Sequence, residues 1–159
     1  MQPEYVHVAI TTTDGRVSIM MFVTKEFSAN GETNWTREAS EANVNAEIAK
    51  ANISASSWRI IELSEIPSDR TFRNSWVDDG GITHDMTVAK EELKSMLRQK
   101  RKPLLEALDV DYMRALESND TANQATVIAA KQYLRDITEH QDVNSASTVE
   151  ELKQCLELL

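Results

Sequence analysis

Apolar and polar positions alternate over the first quarter of the chain and then change to a longer period. Tyr5 to Ile10 and Arg16 to Val23 are rich in β-branched and aromatic residues. Between them stands Thr13-Asp-Gly15, and Asp-Gly between two apolar runs predicts a hairpin because Gly tolerates positive φ. Residues 25 to 35 carry Asn30-Gly31 and no clear period, which predicts a loop. Thr36 then stands where it caps a helix through about Asn52, with Ala39, Ala42, Ala46, Ala49 and Ile53 spaced by three or four. Trp58 to Leu63 predicts a third strand, added to the sheet of the first hairpin. Pro67, Asp69 and the turn Asp78-Asp-Gly-Gly81 punctuate an ordered connector at 64–85, in which Phe72 to Val77 faces Ile82 to Asp85 across a short hairpin.

From Thr87 onward the helical period takes over. With Asp85 or Thr87 as cap, Val88, Leu93, Met96, Leu97, Leu104, Leu105, Leu108, Tyr112, Met113 and Leu116 recur at intervals of three, four and seven. Pro103 lies inside this pattern and lacks the N–H that an interior helical residue donates, so a break, a bend or a fresh helix start is expected there. Thr121 is placed to cap the next helix, with Ala125, Ile128, Ala129, Leu134 and Ile137 as its apolar face; the short link at 118–121 folds it back antiparallel. A last short helix from Thr148 to Leu158 carries Val149, Leu152, Cys155, Leu156 and Leu159 on one side. The pattern predicts an α+β chain. A small N-terminal unit of β-hairpin, strand and helix spans 1–63, the connector 64–85, and a helical hairpin or coiled-coil-like arm 86–159.

Composition narrows the classes without naming one. The chain has 159 residues, 41% apolar and 27% charged, with four Gly and three Pro, which excludes intrinsic disorder and fibrous repeats. No apolar run approaches the roughly 20 residues that span a bilayer, and the first residues lack the pattern of a secretory signal, so a chain made and kept in the cytosol is expected, with no membrane partner. The lone Cys155 cannot form an internal disulfide and reads as a small apolar side chain on the last helix. A net charge of -9 repels nucleic acid at long range, so none is expected as a partner. The one basic cluster is Arg98-Gln-Lys-Arg-Lys102; lacking interleaved aromatics, it is expected to pair with acidic residues of its own arm or of a partner subunit.

Candidate chemistry is sparse. His84 with Asp78, Asp79 and Asp85 brings an imidazole and carboxylates within eight residues, yet Asp-Asp-Gly-Gly is also what a tight turn requires, and the turn is the reading preferred over a metal site. Glu38, Glu41 and Glu47 have no partner base and read as a solvated helix face. Trp35, Trp58 and Trp76 read as packing residues. The sequence contains no Gly-rich phosphate loop, nucleophile elbow or His-rich metal pattern, so neither catalysis nor a cofactor is expected.

A resemblance adds to this reading. The stretch Ile66-Pro-Ser-Asp-Arg-Thr-Phe-Arg-Asn-Ser-Trp76, a Gly-containing turn, Asp85-Met86 before a helix, Arg101-Lys-Pro-Leu-Leu-Glu-Ala-Leu-Asp109 and Lys131-Gln-Tyr-Leu-Arg-Asp136 resemble a segment of tail-region proteins of tailed bacteriophages. The later part is similar to tail assembly chaperones and tail-fibre assembly proteins, although Ala107-Leu-Asp-Val-Asp111 stands where those carry Thr-Asp-Trp; the resemblance covers roughly 58–155. It implies a non-enzymatic protein working through contacts with other tail or fibre proteins, as a homo-oligomer or hetero-complex: a structural component of the virion tail or, alternatively, a transient assembly chaperone. The interaction residues that follow are Arg70, Phe72, Arg73, Trp76, Leu104, Leu105, Leu108, Tyr112, Leu134, Arg135 and Asp136. Of these, Arg70, Arg73 and Trp76 are expected to anchor the connector on the arm, and Leu134 to lie in the hairpin seam with Arg135 and Asp136 at the helix end.

Overall fold

Gly15 adopts φ +83° and closes the turn between strands β1 (Glu4–Thr12) and β2 (Val17–Phe27), as the Asp-Gly pair predicts. In this computed structural model, which describes residues 2–27 and 29–159, the chain divides into two compact units, Met1–Asp85 and Met86–Leu159. The architecture is α+β, with the helices of the second unit following the sheet of the first.

The first unit is a four-stranded antiparallel sheet of order β3-β2-β1-β4, where β3 is Thr33–Thr36 and β4 is Ala55–Ile61. Strand β4 is the expected third strand and joins the free side of β1. Strand β3 was expected as loop; all four of its residues are exposed, so no alternation of burial marks it in the sequence. Helix α1 (Glu41–Lys50) also differs from expectation: it starts five residues later than Thr36, capped by the Ser40 hydroxyl, which accepts from the Asn43 N–H. Its buried residues are Val44 and Ile48, while Ala42, Ala46 and Ala49 stay exposed. The physical reason is area: an isoleucine and a valine bury far more apolar surface than alanine methyls, and they decide which side faces the sheet.

Both faces of this sheet are apolar. On one, Val8, Ile10 and Phe22 pack with Val44 and Ile48 of α1. On the other, Ala9, Val17 and Ile61 pack with Trp76, flanked by Ile19, Ile66 and Ile82. The pairing register explains the division, since Val6↔Phe22 and Val8↔Met20 alternate with His7↔Met21 and Ala9↔Ile19 along β1 and β2. Residues 64–85 therefore belong to the first unit as the cover of its second face. That cover carries the expected short hairpin, β5 (Trp76–Asp78) with β6 (Ile82–His84), and Gly80 at φ +77° turns it.

One side chain fastens the cover. Arg59 on β4 donates from Nε and Nη2 to the two carboxylate oxygens of Asp78, at 2.7 and 3.1 Å, and from Nη1 to Glu65 at 2.7 Å. A guanidinium forked onto one carboxylate and reaching a second fixes both the hairpin and the 3-10 turn Leu63–Glu65 on the sheet. Its own acidity falls further, its pKa raised first by Asp78 and then by Glu65.

In the second unit α2 (Met86–Glu117) runs as one 32-residue helix straight through Pro103. The break or fresh helix start expected there gives way to a continuous helix, because one lost hydrogen bond competes with cooperative elongation and with packing on both sides of the proline. Helix α3 (Thr121–Asp136) begins at Thr121, but its cap is Asp120, whose carboxylate accepts from the Asn123 N–H. It folds back antiparallel: Gln124 reaches the Ala115 carbonyl, Lys131 pairs with Asp109, and Arg101 reaches the Leu134 and Arg135 carbonyls. To the expected hairpin the structure adds α4 (Gln141–Ser145) and α5 (Val149–Cys155), the latter capped by Thr148 in a reciprocal box with Glu151. Lys90 donates to the Asn144 carbonyl and Lys100 to that of Leu156, so this C-terminal segment lies along the first half of α2. There Ala89, Leu93, Leu97, Val143, Leu152 and Cys155 are buried.

Candidate interaction surfaces

Two places carry the residues that the sequence singles out, one in each unit. In the first unit Arg70, Arg73 and Trp76 border an open groove of about 620 Å³ on the second face of the sheet. Val17, Ile19, Met21, Leu63 and Ile66 give it an apolar lining, and Met21 and Leu63 are 63% and 66% exposed. Met21 stands out of the sheet face beyond the end that Trp76 covers near Ala9, Val17 and Ile61, and Leu63 opens the 3-10 turn that follows β4. Trp76 is buried against the sheet with Ala9, Val17 and Ile61. Its indole N–H has no acceptor among the described residues, an uncompensated donor that costs about 1–3 kcal/mol when buried.

Charge in this unit is distributed unevenly. Arg16 pairs with Asp14, Lys25 with Glu4, Arg37 and Lys50 with Glu47, and Arg59 with Asp78 and Glu65. Arg70 and Arg73 are both exposed, and among the described residues neither has a carboxylate partner. Thirteen acidic side chains lie in residues 1–86, and still these two cations at the groove remain unneutralised. Phe72, placed with them by the sequence, is fully buried; its ring is interior packing and not part of any surface.

The second place is the far half of the α2–α3 hairpin. Leu104, Val110, Met113 and Leu116 of α2 and Ile128 and Tyr133 of α3 are all between 42% and 53% exposed. Leu105, Leu108 and Tyr112 are half-buried between the helices, and Leu134 is buried in the seam, as its spacing predicts. Arg135 is exposed beside a shallow depression of about 150 Å³ with Tyr112, Ile128 and Lys131. Asp136 is exposed and accepts from Gln132 at 2.7 Å. Exposure concentrates here because only two helices run along this stretch, whereas α4 and α5 follow the first half of α2.

In the basic cluster Lys100 and Arg101 donate to the carbonyls at the ends of later helices, which are acceptors left over by the helical hydrogen-bond pattern. Residues 78–85 form a fastened turn: Asp78 is held by Arg59, and His84 Nδ1 lies 2.7 Å from the Ser75 hydroxyl. Among the described residues no group of three or more His, Cys, Asp or Glu side chains is placed to hold a metal ion, and no helix is long and apolar enough to cross a membrane. Glu47 is tied to Arg37 and Lys50, which hold its carboxyl below the usual range. The indole of Trp35 donates to Glu26 and that of Trp58 to Asn45, so both aromatics are engaged within the fold. Cys155 is buried and its thiol is pushed up by that burial.

Of the surface residues, sequence reasoning missed Met21 and Leu63. Met21 lies in a strand whose alternation assigns it to a covered face, and only the short reach of the connector exposes it. Compared with known proteins, the chain matches no family model, no curated protein and no solved structure.

Proposed function

We propose that this chain is a non-enzymatic, tail-associated structural protein of a tailed bacteriophage, working through protein–protein contacts in the virion. The observation that carries the contact reading is the set of exposed apolar side chains Val110, Met113 and Leu116 of α2 and Ile128 of α3 toward the two-helix end of the second unit. A ridge of that kind on an otherwise charged chain is a surface that another polypeptide covers. The tail assignment rests on the resemblance over 58–155. In an assembly protein Arg70, Arg73 and Trp76 belong to a docking face of the first unit, and the half-buried Leu105, Leu108 and Tyr112 support the ridge from beneath.

The experiment is a comparison of finished and unfinished particles. Mass spectrometry of purified tails should find the chain in stoichiometric amount with the other tail proteins. Its presence on assembly intermediates and absence from finished tails would move the reading to a transient chaperone. Its absence from both would end the tail reading. A double substitution of exposed ridge residues, Met113→Asp with Ile128→Asp, should abolish incorporation while the isolated protein keeps its helical circular dichroism.

A further inference from the structure

Among the described residues, the lysines and arginines of the first unit pair with carboxylates inside it except Arg70 and Arg73, and these two border the same groove. Charges are not left unpaired in an acidic unit by shortage of partners, since carboxylates outnumber cations there by 13 to seven over residues 1–86. Besides Arg70 and Arg73 the groove is lined by the aliphatic Val17, Ile19, Met21, Leu63 and Ile66 and by Trp76, with His7, Thr12, Ser18, Asn74 and the paired Asp14 and Arg16 as its polar part. A ligand suited to this site brings negative charge for the guanidinium pair and apolar side chains for Met21, Leu63 and Ile19.

We propose that the groove docks an acidic polypeptide segment in which carboxylates alternate with aliphatic side chains, supplied by a protein partner. This rests on the reading of the chain as a protein that works by contacts, and it adds the chemistry of one partner. A peptide is favoured over nucleic acid by the apolar lining and by the chain's net charge of -9, which opposes a polyanion everywhere except locally. A short acidic peptide meets that opposition over far fewer charges, while the two guanidinium forks match carboxylates in geometry.

The test uses the full chain and fluorescence anisotropy of a labelled decapeptide alternating glutamate with leucine. The wild-type protein should bind it, with affinity falling as sodium chloride rises. The double variant Arg70→Glu/Arg73→Glu should bind at least about tenfold more weakly, since both guanidinium partners are reversed in sign. Met21→Asp should weaken binding through the apolar side, which separates the groove from general charge attraction. Both variants change exposed residues, and unaltered circular dichroism and melting would show that folding is kept. Failure of the peptide to bind overturns the proposal, as does equal binding by the variants or by a lysine–leucine decapeptide. Stronger binding of a 20-nucleotide oligothymidylate overturns it in favour of a nucleic-acid groove, and displacement of the peptide by free glutamate at millimolar concentration overturns it in favour of a small-carboxylate site. No tail particle enters this measurement. A silent peptide with the chain present in tails would sink the groove alone, and a binding peptide with the chain absent from tails would sink the tail reading alone.

Discussion

The two units spend their cations differently. In the helical unit Lys90, Lys100 and Arg101 reach backbone carbonyls at or near the ends of other helices, and Lys131 crosses from α3 to Asp109 on α2. In the sheet unit Arg59 does similar work, tying the connector down, whereas Arg70 and Arg73 face the groove with no carboxylate partner among the described residues. Side chains of one chemical type are thus fasteners in one setting and exposed groups bordering a groove in the other. The difference lies in what surrounds them: helix ends in the second unit offer spare acceptors, and the open sheet face in the first offers apolar surface.

The severest way to break the comparison is to remove the core that the fasteners hold. Leu134→Asp places a carboxylate in the buried seam between α2 and α3, which should destabilise the helical unit by more than about 4 kcal/mol. Denaturation followed by far-ultraviolet circular dichroism would read this as a lost or strongly advanced helical transition. A curve coincident with wild type would mean that Leu134 is not in a packed seam.

Removing one fastener is milder. Arg101→Ala leaves the Leu134 and Arg135 carbonyls at the end of α3 without their cationic donor. Water replaces part of that interaction, so the expected loss is about 1–2 kcal/mol, measured as a shift of the denaturation midpoint with unchanged slope. Arg101→Lys should recover only part of it, since both bonds leave the Nη1 end of the longer, planar guanidinium and an ammonium does not occupy that position.

The fastener of the sheet unit carries a pH signature. The Glu62 backbone N–H and then the Arg59 guanidinium hold the Glu65 carboxyl below its ordinary 4.5. A carboxyl depressed on folding contributes stability that is present above its unfolded value and is lost as pH falls through the lower folded value. The connector should therefore loosen in acid, below about pH 4.5, seen as faster proteolytic cleavage within residues 64–85. Arg59→Ala should show that faster cleavage already at neutral pH and a smaller further change on acidification. Cleavage indifferent to both would remove Arg59 from the role given to it.

How far these features could be read from the residues depends on whether burial or only pairing makes them. The β1–β2 hairpin is legible because Asp14-Gly15 forces the turn and β-branched residues flank it. Strand β3 is not legible, since Thr33 to Thr36 pair with β2 while burying nothing. On α1 the alanines outnumber the valine and isoleucine that are buried, so counting apolar positions without weighting their size selects the wrong stripe. Pro103 marks a break by its chemistry alone, and the continuity of α2 around it is a property of the whole helix. Arg70, Arg73 and Trp76 stand out in the sequence and come together at the groove, while Phe72 beside them is interior. Met21 and Leu63 complete the groove only because the connector stops short of them, a tertiary fact with no local signature.

The smallest expected effect is the one that sharpens the comparison most. Arg70→Ala with Arg73→Ala removes two exposed guanidiniums that pair with no carboxylate among the described residues, so the unfolding free energy should stay within about 0.5 kcal/mol of wild type. If anything, acidic repulsion in a chain of net charge -9 rises slightly, a loss that added salt should cancel. Set beside the larger loss for Arg101→Ala, a flat result separates recognition groups from fasteners by measurement. A loss as large as that of Arg101→Ala would instead make Arg70 and Arg73 part of what holds the connector to the sheet, and the distinction between the two units would close.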